Sequence, residues 1–103
     1  MTKVYYIEVI GDHGNRFVQT HYTRLTDARK RAIREIGKSK VALLHAYNGA
    51  NGQYIGIGQA EKVFFDDFVN DFAVQQYGGE GRRYRVSPKT GDLLRYNKEF
   101  KYL

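Results

Sequence analysis

The stretch that most constrains this chain is residues 24–40, RLTDARKRAIREIGKSK, where a helical period is set between segments that alternate. At about 100° per residue, Leu25, Ala28, Ala32 and Ile36 share one face, with Ile33 at its edge. Thr26 is placed as an N-cap, Asp27 favours the positive end of the helix dipole, and Gly37 stands at the C′ position. The spacing therefore predicts a helix over 26–37. Lys30, Arg31 and Arg34 lie opposite the apolar face. Arg29 projects between Ile36 and Ile33, which predicts a stem along the core edge and a head reaching outward. Asp27 can pair with Arg31, and Arg31 with Glu35, for about 0.2–0.5 kcal/mol each.

The flanking segments read as hairpins. Residues 3–10 and 16–23 are rich in β-branched and aromatic residues and are separated by Gly11, Asp12, His13, Gly14 and Asn15. Residues 40–47, KVALLHAY, are nearly all apolar and predict a central strand buried on both faces. A turn over 48–52 leads into an alternating strand over 53–58.

Over 65–77, Phe65, Phe68, Val69, Phe72 and Ala73 fall on one helical face, with Gly78 placed to stop it. Asp67, Asn70, Asp71 and the odd Val74 fall on the other. That pattern predicts a second, acidic helix, with a strand reading of 63–69 as the competitor. Residues 82–87 alternate, with Tyr84 and Val86 inward and Arg83 and Arg85 outward. Residues 87–92, SPKTGD, form a strong hairpin turn, and 93–97 return. Residues 98–103 either extend that strand or fray.

The expected architecture is one α+β domain over 1–103, ordered ββαββαββ. Its sheet is largely antiparallel and both helices pack on one face. The uncovered face should carry many of the Tyr and Arg side chains.

Charge is segregated. The net is +6. Residues 24–40 hold seven bases against two acids, 41–81 hold Lys62 against five acids, and 82–103 hold seven bases against two acids. Such asymmetry points to a polyanionic partner or to complementary self-association. The C-terminal block interleaves Arg82, Arg83, Arg85, Lys89 and Arg95 with aromatics, a mixture suited to phosphate contact and base stacking. The chain has no Cys. That removes disulfides and thiolate metal sites and fits a reducing compartment. No apolar run has the length of a membrane span, so a cytoplasmic setting without membrane contact is expected.

No catalytic motif is present. His13 lies in a turn, and His21 and His45 lie on strands, where histidines are ordinarily surface or core-edge residues. Asp66, Asp67 and Asp71 do not share a helical face as metal ligands would. The segment 41–58, VALLHAYNGANGQYIGIG, resembles the hairpin of GIY-YIG nucleases in its strand, Asn-Gly turn and Tyr54-Ile55-Gly56. That resemblance spans less than a fifth of the chain. Leu43-Leu44-His45 stands where the family has Gly-Ile-Tyr, and the following segment lacks its Arg, so no catalytic residue carries over.

The resulting expectation is a non-enzymatic module with no cofactor or metal. It would bind nucleic acid or a nucleoprotein through the helix 26–37 and the hairpin 82–97. Its candidate contacts are Arg29, Lys30, Arg31, Arg34, Lys38, Arg82, Arg83, Arg85, Lys89 and Arg95. The alternative is a small regulator that occludes a host protein such as a defence nuclease. It is similar in general style to accessory proteins of phages. A homodimer joining the acidic helix 66–77 to the basic surfaces is a third expectation.

Overall fold

The computed structural model describes residues 2–50, 53–77 and 83–94. Six strands and one helix follow in the order β1 (Thr2–Gly11), β2 (Gly14–Phe17), α1 (Leu25–Ile36), β3 (Val41–Ala50), β4 (Gln53–Asp66), β5 (Asp71–Gln76) and β6 (Arg83–Arg85). They form a single sheet ordered β2-β1-β3-β4-β5-β6, with every neighbouring pair antiparallel.

The order explains where the helix sits. β2 and β3 flank β1 and both run antiparallel to it, so they are parallel to each other. A chain joining two parallel strands of one sheet must cross over its face, and α1 is that crossover. Alternation then sorts the residues. Ile7 and Val9 of β1, Ala42 and Leu44 of β3, and Val63 and Val74 of β4 and β5 are buried under the helix. Ala28 and Ala32 are fully buried and bring the helix backbone close, while Ile33 and Ile36 fill the remaining space.

Against expectation, β3 is not covered on both faces. On the helix side Ala42, Leu44 and Ala46 are buried, whereas on the other side Tyr47 is buried but Leu43 and His45 are only half-buried. A single helix covers a single face.

The expected second helix is the larger correction. Its residues are the end of β4, a turn over 67–70, and β5. The acidic helix of the expected homodimer therefore does not exist. Phe65 and Phe72 are not helical neighbours but cross-strand partners, edge to face at 5.2 Å between ring centres. Phe68, assigned to the buried face, is 93% exposed at the turn. Asp66 starts that turn by accepting from the Phe68 amide at 2.9 Å. Asn70 closes it at φ 56°, a left-handed position that Asn tolerates. Four turn residues between two aromatic strands imitate the i, i+3, i+4, i+7 spacing of a helix. The alternation of Val63 against Phe64 and of Val74 against Gln75 is the true period.

Two boundaries also move. The helix begins at Leu25, and Thr26 is not its cap: Arg24 precedes the first turn with no side-chain cap bond. The second strand ends at Phe17 rather than Thr23. Beyond it the chain follows β1 irregularly, through Val18 N–H to the Ile7 carbonyl at 2.9 Å and a Tyr5–Tyr22 bridge.

Candidate nucleic-acid interface

The turn at 87–92 docks on the first turn of α1. Ser87 N–H donates to the Asp92 carbonyl at 2.9 Å and Gly91 N–H to the Ser87 carbonyl at 2.7 Å, which closes the loop. Gly91 has φ 77°, and a Cβ there would stand 2.0 Å from the Thr26 carbonyl oxygen. Only glycine permits both that conformation and that approach. The Gly91 carbonyl in turn accepts from Arg29 Nη1 at 3.1 Å.

This docking carries Lys89 to the exposed face of the helix. Lys30, Arg34 and Lys89, with Asp27, Tyr22 and Pro88, line an open groove of about 360 Å³. Asp27 Oδ1 lies 3.3 Å from Lys30 Nζ and offsets part of its charge. Among the described residues, no carboxylate pairs with Arg34 or Lys89. The groove therefore carries an excess of positive charge facing water.

The other expected contacts lie elsewhere. Arg29 does not snorkel: it is 6% exposed and forks onto Glu61, with Nε to Oε1 at 2.7 Å and Nη2 to Oε2 at 2.6 Å. Glu61 faces the helix because it pairs with Leu44 across β3 and β4, and no local spacing in the sequence announces that partner. Arg31 donates to Glu35 at 2.8 Å and to the Tyr22 hydroxyl at 3.4 Å. Lys38 stands over the Phe65 ring at 5.1 Å. Arg82 and Arg95 fall outside the described residues.

Arg83 and Arg85 project from the opposite face. Arg83 lies over the Phe64 ring at 5.3 Å, and Arg85 Nη2 reaches Asp71 Oδ2 at 2.6 Å. Among the described residues, the two basic blocks thus meet at one surface only through Lys89.

The helix-free face also carries a cluster that the charge pattern did not reveal. The Tyr6 ring stacks on His45 at 4.8 Å between centres, and the rings of Phe17, His21 and Tyr47 are centred 5.9, 5.8 and 5.8 Å from it. His45 Nε2 is 2.9 Å from Glu8 Oε1, and Asn15 donates to Glu8 Oε2 at 2.9 Å. These bonds, that from His45 foremost, hold the Glu8 carboxyl below its ordinary pKa. His21 Nδ1 lies 2.7 Å from the Tyr47 hydroxyl. The sequence signal was the i, i+2 spacing of Tyr6 with Glu8 and of His45 with Tyr47, which puts each pair on one face of its strand.

The described residues form an antiparallel α+β domain with a basic, open groove between α1 and the 87–92 turn. No family model matches the chain, and neither a curated protein nor a solved structure matches it.

Proposed function

We propose that the domain binds nucleic acid, or a nucleoprotein through its nucleic acid, without catalysing a reaction on it. The groove between α1 and the 87–92 turn is the principal contact. One observation carries this reading: Lys30, Arg34 and Lys89 converge from segments more than fifty residues apart onto one open surface. Ammonium and guanidinium groups so placed meet phosphate oxygens and release counterions. Contacts of that kind position a backbone and read little sequence. The net charge of +6 favours approach to a polyanion. A cysteine-free chain suits the reducing cytoplasm, which we take as its setting.

The test is fluorescence anisotropy with short single-stranded RNA, single-stranded DNA and duplex DNA over a series of salt concentrations. Binding that weakens steeply with salt is expected, and no binding to any of the three at low salt rejects the reading.

A second reading, a regulator that occludes a host protein, is favoured by Phe68. An aromatic ring 93% exposed at a turn tip is the kind of anchor that protein partners bury. Pull-down from bacterial lysate with and without nuclease separates the two. A partner that survives nuclease and no longer binds Phe68→Ala supports the regulator.

A further inference from the structure

We propose that the helix-free face of the sheet is a second binding site, which takes the unpaired bases of a single strand. The proposal rests on the nucleic-acid reading above and adds a strand type and a second surface to it.

Ring chemistry is the first argument. Phe17 is 58% exposed and His21 is exposed, and both lie against Tyr6, which is itself stacked on His45. The polar edges of the patch are partnered, His45 by Glu8 and His21 by Tyr47, so the rings are held in place. A preordered set of π faces suits stacking on bases, which is sequence-tolerant because every base has such a face.

Charge is the second. On the far half of the same face, Lys62 Nζ and the Arg83 guanidinium each stand 5.3 Å from the centre of the Phe64 ring. The Asp71 carboxylate there is paired with Arg85, and the Glu8 carboxylate accepts from Asn15 and lies within hydrogen-bond distance of His45. Rings at one end and cations at the other complement a strand with free bases and a phosphate backbone. Five strand spacings separate β2 from β6, about 24 Å, which leaves room for several nucleotides. A duplex presents no base faces to this patch.

Anisotropy with a labelled oligothymidine strand and a duplex of equal length tests this, using wild type, Phe17→Ala and the Lys30→Glu/Arg34→Glu double variant. The Phe17 side chain is mostly in water, so the fold should survive its removal, which circular dichroism checks. Phe17→Ala is expected to weaken strand binding about tenfold and to leave duplex binding unchanged. The strand should quench the intrinsic tyrosine emission more than the duplex, whose binding groove holds Tyr22, a difference readable because the chain has no Trp.

Retained strand affinity in Phe17→Ala, with duplex binding intact, overturns the second site and leaves the groove reading standing. Loss of duplex binding in the charge-reversed variant with strand binding kept supports two separate sites. A wild-type dimer that Phe17→Ala dissociates with no change in strand affinity assigns the face to self-association and overturns the proposal. No binding to either probe by wild type rejects both readings.

Discussion

Arg29 and Glu61 meet as a forked ion pair beneath the helix, 2.6 and 2.7 Å apart at its two bonds, with side chains 8% and 2% exposed. Both groups also bond to other elements. Gln76 Nε2 donates to Glu61 Oε2 at 2.9 Å, and Arg29 Nη1 holds the Gly91 carbonyl. The pair thus ties α1, β4, β5 and the 87–92 turn together, and the most central base of the helix serves the fold rather than a partner.

Breaking that pair from one side leaves a buried charge uncompensated. Arg29→Ala and Glu61→Ala are each expected to cost about 3–5 kcal/mol of stability, measured by urea denaturation. Replacing both at once, Arg29→Met with Glu61→Leu, should recover most of that cost, because neither charge is then stranded.

Gly91→Ala should act on stability and on binding together. The left-handed conformation costs a non-glycine residue about 1–3 kcal/mol, and the added Cβ meets the helix backbone at Thr26. The turn must lift, and Lys89 leaves the groove. A lower melting temperature is expected with weaker nucleic-acid binding, whereas Lys89→Ala should weaken binding with the melting temperature unchanged.

Lys30 is half-buried and Arg34 exposed on the outer helix face. Their joint reversal to Glu should leave the circular dichroism spectrum intact and weaken duplex binding at low salt by at least about tenfold. The slope of log affinity against log salt should flatten by about 0.9 for each phosphate that is no longer neutralised. Unfolding of the variant would show that these side chains serve structure.

The edge of the sheet is pinned to the helix by acid-sensitive contacts. Arg16, then Arg31, hold the Glu35 carboxyl below its ordinary pKa, and Arg16 Nη2 reaches Glu35 Oε1 at 2.6 Å. A depressed carboxylate binds its proton less readily folded than unfolded. Its stabilisation is therefore complete above the unfolded value, about 4.3, and disappears as pH falls through the lower folded value. Glu8, lowered by His45 and Asn15, has the same sign. Melting temperature should fall as the medium is acidified below that range. Glu35→Gln should melt lower than wild type at neutral pH, by no more than about 1 kcal/mol for so exposed an arrangement. The two should converge in acid.

Much of the fold was legible from short-range pattern. The apolar spacing of Leu25, Ala28, Ala32 and Ile36 placed α1 to within a residue. Glycine and Asn marked the turns, and the alternation of Arg83 with Tyr84 and Val86 gave the inward side of β6. The reading of 65–77 as a helix failed because a four-residue turn between aromatic strands reproduces helical spacing. Only pairing with β4 and β6 distinguishes the two. In the site, Lys30 and Arg34 were legible as outward-facing, while the tyrosine and histidine cluster was hidden by its spread over three segments.

By itself the sequence determined one basic amphipathic helix, its hairpin surroundings and a charge map of two positive blocks about an acidic middle, since each depends on neighbours a few residues apart. Tertiary structure alone decided which cations reach the open groove. Arg29 is withdrawn because β3–β4 register turns Glu61 toward the helix, and Lys89 is delivered because Gly91 lets a distant turn rest on Thr26. Those outcomes depend on partners 32 and 62 positions away from Arg29, a separation that no local period encodes.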